Sequence, residues 1–202
     1  LHLLSRRQRQ MCIRDSMKAV AICGYKGSGK DFVANVLINW ARQHNFYGRK
    51  AAFADPIKWV IMDAFDLNEE LEYDNFKRSS VQLSSGKVIP GRDILRSIGM
   101  TMRSFNQDEF VKRMDKYIKT INPPHELEPI VVITDLRFKN EVKWAKENHI
   151  PIIKVKRNTA VFDGHVSEME IDDFLCDYIV DNNRDPEQTE DHVKKIASII
   201  FS

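Results

Sequence analysis

Short apolar runs along the chain alternate with longer stretches of helical periodicity. Five runs rich in β-forming residues cover residues 18–23, 50–54, 130–134, 152–155 and 178–180. Between them, apolar residues recur at helical spacing in residues 31–43, 56–65, 92–104, 108–119, 139–148 and 187–200. Near-continuous apolar strands separated by helices are typical of a buried parallel sheet. The pattern therefore predicts a three-layer α/β domain with a five-stranded parallel sheet.

The gap between the second and third predicted strands is much longer than the others. It contains the polar stretch "KRSSVQLSSGKVIPG", residues 77–91, which breaks the helical rhythm and predicts a loop or small hairpin. A chain of 202 residues forms one domain by default, with room for inserted lobes. We therefore expect a lobe at about residues 66–120 that is inserted into the α/β domain.

Composition narrows the class of protein only slightly. Hydrophobic residues make up 43% and charged residues 30% of the chain, which is ordinary for a soluble enzyme. No run approaches the roughly 18 apolar residues that a membrane helix needs. The cysteines, Cys12, Cys23 and Cys176, are too few and too scattered for a disulfide framework or a zinc site. We expect a reduced cytoplasmic protein.

The first sixteen residues, "LHLLSRRQRQMCIRDS", differ from the rest of the chain. They have no strand or helix period, and four arginines against one aspartate give them a net charge of +3. Met17 stands directly before the first predicted strand, so we expect residues 1–16 to be a non-native or disordered leader and residues 17–202 to form the domain. Without the leader, the chain's net charge of +2 becomes about −1. This near-neutral charge, with no basic, aromatic-interleaved face, argues against a nucleic-acid partner.

The clearest chemical feature is "GYKGSGKD", residues 24–31, between the first strand and the first helix. It follows the phosphate-binding pattern G-x-x-x-x-G-K-[ST] up to the last position. Gly24, Gly27 and Gly29 permit a tight turn and close approach of the backbone to a phosphate. Backbone N–H groups and the helix dipole would converge on phosphate oxygens, and Lys30 would reach the β- and γ-phosphates. The order of strand, glycine loop, lysine and helix predicts a nucleotide-binding loop.

The alternative is that these glycines form a simple turn and that Asp31 is only a favourable acid in the first helical turn. That alternative does not explain Lys30, because a positive charge at a helix N-terminus is unfavourable unless an anion lies there. Asp31 replaces the usual hydroxyl residue and would offer Mg²⁺ a carboxylate oxygen, directly or through water. We therefore predict Asp31 as a metal ligand.

A loop of the form G-x-x-x-S-G-K-D resembles that of the deoxynucleoside monophosphate kinases of tailed phages and, more distantly, of animal-type phosphomevalonate kinase. The resemblance implies a P-loop kinase with strand order 2-3-1-4-5, a substrate lobe, a lid, and ATP with Mg²⁺ as cofactors. It assigns ATP binding to Gly24, Gly27, Ser28, Gly29, Lys30 and Asp31, and catalysis to Lys30 among others.

The stretch "PIVVITDLRFKNEV", residues 129–142, carries the second specific motif. An apolar strand that ends in an acid is typical of the second metal-site carboxylate in phosphate-loop enzymes, so Asp135 is a predicted metal ligand and catalytic residue. Arg137 is predicted to hold a substrate phosphate or the transferring phosphate. The alternative is that Asp135 only caps the next helix. "TDLR" resembles the families' acid-x-Arg step, although phosphomevalonate kinases often have a second arginine where this chain has Phe138.

Candidates for the acceptor site lie in two further stretches that resemble the phage kinases. "FADPIK" places Lys58 after the second strand, where the alternative is a solvated lysine. "GRDILRSIGMTMRSF" predicts a buried stripe of Ile94, Leu95 and Ile98 and leaves arginines on other faces. Arginine suits bidentate contact with phosphate, so the predicted substrate residues are Arg92 and Arg103, with Arg96 less favoured. The family usually has Thr and then an acid after this glycine, whereas this chain has Met100 and Thr101.

A lid is predicted at about residues 156–170. Arg157 would close on the ATP phosphates. "HVSE", residues 165–168, resembles a His-x-Ser-Glu step of the phage kinases and makes Glu168 a predicted substrate residue, with a helix start as the alternative. "DYIVDNN", residues 177–183, resembles the family's final strand, whose asparagines lie near the adenine.

The predicted function is ATP-dependent phosphorylation of deoxynucleoside 5′-monophosphates to diphosphates. One alternative is a kinase of another small phosphorylated metabolite, as in phosphomevalonate kinase, and another is a nucleotide-binding module without turnover. We expect a small-molecule nucleotide substrate, no nucleic-acid or membrane partner, and a monomer or homodimer. If the protein is phage-encoded, it would act in the host cytoplasm.

Overall fold

The computed structural model describes residues 18–82, 84–124, 127–160 and 174–202. The chain divides into two compact units, of which the second is Phe53–Arg113 and the first comprises the residues before and after it. The predicted leader, residues 1–16, lies outside the described residues.

Seven strands and seven helices are found in the described part of the chain. In chain order they are β1 (Lys18–Cys23), α1 (Lys30–Gln43), β2 (Tyr47–Ala51), α2 (Asp55–Ala64), α3 (Glu70–Arg78), β3 (Ser80–Gln82), β4 (Val88–Pro90), α4 (Gly91–Phe105), α5 (Glu109–Thr120), β5 (Pro129–Ile133), α6 (Lys139–Glu147), β6 (Ile152–Lys156), β7 (Tyr178–Asp181) and α7 (Pro186–Ile200).

The first unit is built on a five-stranded sheet in the order β2-β5-β1-β6-β7. All four strand pairs are parallel, with Val20 opposite Val132 and Ile22 opposite Ile153 at the centre. Numbered within the sheet, the strand order is 2-3-1-4-5, so the predicted α/β fold and topology are confirmed. The carboxyl ends of the strands meet at one edge, which is where open α/β sheets place their ligands.

Helices α1 and α7 cover one face of this sheet. Strand β5, which lies between β2 and β1, is buried at every residue, as expected for a strand with helices on both sides. The connections β1–α1–β2 and β5–α6–β6 run in opposite directions across the sheet, so right-handed crossovers put α1 and α6 on opposite faces. The core on the α1 face contains Val20, Ile22, Val33, Leu37, Ile130, Val132, Ile153, Val155, Val180, Val193 and Ile196.

The second unit contains α2, α3, α4 and the short antiparallel hairpin β3–β4. Val81 pairs with Ile89 in the hairpin, which confirms that the polar stretch 77–91 forms a small hairpin. Gly91 begins α4 at a close approach, because a Cβ there would lie 2.1 Å from the carbonyl oxygen of Phe76. Phe76 is itself buried and packs beside Phe65, with ring centroids 4.7 Å apart.

Two predictions about these elements were wrong, and one helix was missed. Strand β2 is Tyr47–Ala51 rather than residues 50–54, since an edge strand with exposed Arg49 and Lys50 lacks a clear apolar run. Helix α3 was not predicted, because Phe76 is its only buried residue and its sequence is strongly polar. The predicted buried stripe on α4 is only half-buried, and Gly91 is the helix's one buried residue.

No helix in the described ranges has the length and apolar composition that crossing a membrane requires.

Candidate nucleotide-binding site

The glycine loop lies at the carboxyl edge of the sheet, between β1 and α1. Gly29 precedes the helix in a left-handed conformation with φ of 94°, and Gly24 leaves the strand with φ of 150°. A Cβ at Gly24 would lie 2.6 Å from the carbonyl oxygen of Val155, and one at Gly29 would lie 2.1 Å from Nδ2 of Asn182. Both glycines are therefore required by close packing as well as by backbone conformation.

Lys30 lies at the first position of α1, and its side chain folds back across the loop. Its Nζ donates hydrogen bonds to the carbonyl oxygens of Gly24 at 2.7 Å and Tyr25 at 2.8 Å. The ammonium group is thereby held over the loop, where the N-terminus of α1 favours an anion. A phosphate bound there would be contacted by the cation and by the helix N-terminus together.

Ser28 lies inside the loop and is 1% exposed. Its backbone N–H donates to the carbonyl oxygen of Tyr25 at 3.1 Å, while its Oγ has no hydrogen-bond partner among the described residues. A buried hydroxyl without a partner is costly unless a ligand satisfies it. The lysine and the helix N-terminus together fit a phosphate group, while the Ser28 hydroxyl lies enclosed beneath them.

The two predicted metal ligands lie on different elements of the first unit. Asp31 is exposed in the first turn of α1. Asp135 follows β5 and is half-buried between Thr134, whose N–H donates to Ala51 at 3.0 Å, and Leu136, whose N–H donates to Ile22 at 3.2 Å. The chain at Asp135 thus runs beside the end of β1, where the loop begins.

Helix α6 does not use Asp135 as its cap. Its N-cap is Phe138, and the buried Glu141 accepts the N–H groups of Phe138 at 3.1 Å and Arg137 at 2.8 Å through Oε2. These bonds hold the backbone of the "DLR" turn directly after Asp135. The role of Glu141 was missed in the sequence, although an acid three residues into a helix is a recognisable capping pattern.

Arg157 follows β6 and is exposed. It lines a cleft of about 270 Å³ together with Gly24, Tyr25, Asn158 and other residues of the same segment. The structure therefore brings Arg157 into one cleft with the first residues of the glycine loop. Glu168 and His165 of the predicted lid lie outside the described residues.

The asparagines after β7 contact the loop and the Arg157 segment. Asn182 donates from Nδ2 to the carbonyl oxygen of Ser28 at 2.9 Å, and Asn183 accepts the N–H of Asn158 at 2.7 Å. Asn183 also donates to Asp181, and this hydrogen bond lowers the pKa of the Asp181 carboxyl. The contact with Ser28 joins residues 154 positions apart, so sequence spacing could not reveal it.

Two cysteines that are distant in sequence meet beside the loop. The Sγ atoms of Cys23, the last residue of β1, and Cys176 lie 3.6 Å apart, and both thiols are free. The hydrogen bond with Cys176, together with burial, raises the pKa of the Cys23 thiol. The same hydrogen bond lowers the pKa of Cys176, which is half-buried. Cys23 and Cys176 are thus neighbours in the fold although they are distant in sequence.

The predicted acceptor residues all belong to the second unit. Lys58 on α2 forms a 2.6 Å ion pair with Glu70 and lies 5.4 Å from the centre of the Tyr73 ring. On α4, the guanidinium of Arg103 stands 4.2 Å from the centre of the Phe110 ring. Arg92, Arg96 and Arg103 are all half-buried, and Arg96 pairs with Asp93 at 3.4 Å.

No group of three or more histidine, cysteine, aspartate or glutamate side chains suited to holding a metal occurs among the described residues. A magnesium ion at Asp31 and Asp135 would therefore need phosphate oxygens and water as its remaining ligands. Such a coordination is typical of magnesium in nucleotide-binding enzymes.

Comparison with known proteins supports the resemblance that the loop suggested. No protein-family model matches the chain. The chain is 28% identical over 185 residues to a protein of Acanthamoeba polyphaga mimivirus named "Putative deoxynucleotide monophosphate kinase", which covers 85% of this chain and 92% of the relative. The resemblance to deoxynucleoside monophosphate kinases therefore extends over most of the chain.

Solved kinase structures align with most of the chain at low similarity. An APS kinase mutant of Mycobacterium tuberculosis is 11% identical with a TM-score of 0.43, over 91% of this chain and 98% of that one. The dephospho-CoA kinase of Campylobacter jejuni is 15% identical with a TM-score of 0.45, over 92% and 98% respectively. Similarity at these scores is weak, and the fold is shown by the order of the chain's own parallel strands.

Proposed function

We propose that this protein transfers the γ-phosphoryl group of ATP to a deoxynucleoside 5′-monophosphate. The observation that carries the proposal is the position of Lys30, whose ammonium lies across the glycine loop at the N-terminus of α1. The mimivirus relative's name supports the nucleotide acceptor. Deoxynucleotide supply in the cytoplasm is the setting that this activity predicts.

The first unit would bind ATP. Backbone N–H groups of the glycine loop would donate hydrogen bonds to phosphate oxygens, while Lys30 would exchange two neutral carbonyls for anionic oxygens. Charge-assisted hydrogen bonds of this kind are stronger than neutral ones, which favours the exchange. Arg157 would approach the phosphates from the cleft that it shares with Gly24.

The two carboxylates are suited to holding magnesium at the phosphates. Asp31 at the start of α1 and Asp135 at the end of β5 would bind the ion or its water ligands. The bound ion would neutralise charge on the transferring phosphoryl group. Because a carboxylate at position 31 also repels phosphate, ATP binding should depend on magnesium more strongly than with a hydroxyl there.

No strong general base is required for this reaction. The acceptor phosphate has a second pKa near 6, so it is largely dianionic at neutral pH and already nucleophilic. The protein must align two anions and cancel their repulsion. We propose that Arg137 contacts the transferring phosphate and that Lys58, Arg92 and Arg103 hold the acceptor, with Glu168 as a further substrate residue.

A coupled ATP-consumption assay on the full chain with Mg²⁺ tests the proposal. The acceptors would be dAMP, dCMP, dGMP, dTMP, their ribose counterparts and phosphomevalonate, each in a separate reaction. We expect turnover with deoxynucleotides and none without an acceptor. Turnover with phosphomevalonate alone, or ATP binding without turnover on any acceptor, would overturn the proposed acceptor.

A further inference from the structure

Asn182 connects the end of β7 to the glycine loop. Its Nδ2 donates to the carbonyl oxygen of Ser28 at 2.9 Å, and its backbone N–H donates to the carbonyl oxygen of Lys156 at 2.8 Å. The backbone bond fixes Asn182 to the neighbouring strand β6. The side-chain bond therefore ties the loop to the sheet rather than to another mobile side chain.

The next residue strengthens this anchor. Asn183 donates its backbone N–H at 3.1 Å and its Nδ2 at 2.7 Å to Oδ1 of Asp181, and its Oδ1 accepts the N–H of Asn158 at 2.7 Å. Asn182 thus stands between two residues held by several hydrogen bonds. A side chain on so constrained a segment loses little conformational freedom when it binds the loop.

The amide of Asn182 also occupies the space beside Gly29. A Cβ on Gly29 would lie only 2.1 Å from Nδ2, and the backbone φ of 94° independently favours glycine. The glycine at this position therefore allows the asparagine to reach the Ser28 carbonyl.

The hydrogen bond determines which way one peptide group of the loop faces. In a planar trans peptide, the C=O of Ser28 and the N–H of Gly29 point in opposite directions. Because the carbonyl is held toward Asn182, the N–H is directed away from β7. Backbone N–H groups of such loops are the donors that bind phosphate.

We infer that Asn182 is a positioning residue of the phosphate loop, which orients the Ser28–Gly29 peptide so that the N–H of Gly29 faces the bound phosphate. The identity of the ligand, an ATP phosphate, rests on the proposed function. The orientation of the peptide rests only on the hydrogen bond between Asn182 and Ser28. Asn182 acts through the loop backbone and needs no contact with the nucleotide for this role.

The test compares three variants of the full chain with the wild type. Asn182→Ala removes the donor, and Asn182→Asp keeps the shape but presents only acceptors to the Ser28 carbonyl. Asn148→Ala is the matched control, because Asn148 also donates from Nδ2 to a backbone carbonyl at 2.9 Å, on Trp144 at the end of α6. Amide hydrogen exchange of residues 24–31, the Kd for ATP with Mg²⁺, and the melting temperature are measured for each.

Both Asn182 variants should exchange their loop amides about tenfold faster and bind ATP about tenfold more weakly, the order expected for one lost hydrogen bond to a half-buried group. Asn148→Ala should lower the melting temperature by a similar amount without either change. Wild-type loop exchange or wild-type ATP affinity in Asn182→Asp would overturn the inference, as would equal losses in Asn148→Ala. If the wild type binds no ATP, the proposed function and the phosphate role of Asn182 are both overturned. Faster loop exchange in the Asn182 variants would then show only that Asn182 orients the loop.

Discussion

The glycine loop of the first unit and the arginine-bearing helix α4 of the second unit hold their cations in different ways. Lys30 donates to two backbone carbonyls of its own loop, at 2.7 and 2.8 Å. In the second unit, Arg96 pairs with Asp93 and Arg103 stacks on Phe110. A phosphate bound at the loop would replace the neutral carbonyl partners of Lys30 with anionic oxygens, whereas on α4 it would compete with an ion pair and a ring contact. We therefore expect removal of the positive charge to reduce turnover far more at Lys30 than at the arginines of α4.

The largest effect is expected from Lys30→Ala. Removing the cation would take away one of the charges that stabilise the developing phosphate charge, so kcat should fall by about a thousandfold. The fold should persist, because Lys30 lies at a helix end and its bonds to the carbonyl oxygens of Gly24 and Tyr25 stay within the loop. Turnover in the coupled assay and the circular dichroism spectrum check both halves of this prediction.

Lys26→Ala is the matched control for that variant, since Lys26 lies in the same loop and is exposed. It should retain nearly wild-type turnover. If Lys30→Ala also kept nearly normal activity, the loop would have no part in the mechanism and the contrast with α4 would disappear.

A smaller effect is expected from Arg103→Ala on α4. Loss of one charge-assisted contact should raise the KM for the nucleotide acceptor on the order of tenfold, while the KM for ATP stays unchanged. Arg103→Lys should recover only part of the loss, because lysine lacks the planar fork that contacts phosphate in two places. Steady-state kinetics with each substrate varied in turn measure the effect.

Arg96→Ala serves for comparison, because Arg96 is half-buried on the same helix and has an ion-pair partner in Asp93. It should change the acceptor KM less than Arg103→Ala does. Equal KM values for the two variants would show that Arg103 serves the Phe110 packing and not the acceptor.

The glycine loop and the strands beside it are the part of the molecule that the sequence predicted well. Strands β1 and β5 and the loop between β1 and α1 are continuous in sequence, so their apolar runs and glycines predict them directly. Glycines at positive φ and a lysine at a helix start are local properties of residues 24–30. The strand order followed from the family resemblance of this local motif.

Features formed by distant or polar residues were missed. Asn182 meets Ser28 across 154 positions and Cys176 meets Cys23 across 153, and neither spacing has a local signature. Helix α3 has one buried residue, so it lacks the apolar period that predicts helices. The second unit contains such weakly patterned elements, so the sequence predicted acceptor residues there from their type and could not predict their contacts.

A modest effect is expected from Asp31→Ser, which restores the usual hydroxyl of the loop. The variant should keep ATP binding but change the Mg²⁺ concentration that gives half-maximal turnover by a few-fold, because a neutral hydroxyl attracts the ion less and repels phosphate less. Titration of magnesium at fixed ATP measures the shift. An unchanged magnesium profile would mean that Asp31 only stabilises the first turn of α1.

The smallest expected effect is a difference in reactivity between Cys23, at the end of β1, and Cys176. The hydrogen bond from Cys23 lowers the pKa of Cys176, whereas the pKa of the buried Cys23 is raised. Since the thiolate is the reactive form, Cys176 should be alkylated by iodoacetamide near neutral pH before Cys23 is. Mass spectrometry of peptides after a short reaction gives the order directly, and Cys176→Ser should leave Cys23 slow to react because burial persists. Faster labelling of Cys23 than of Cys176 would show that β1 opens beside the loop. The glycine loop would then be more mobile than its hydrogen bonds to the sheet suggest.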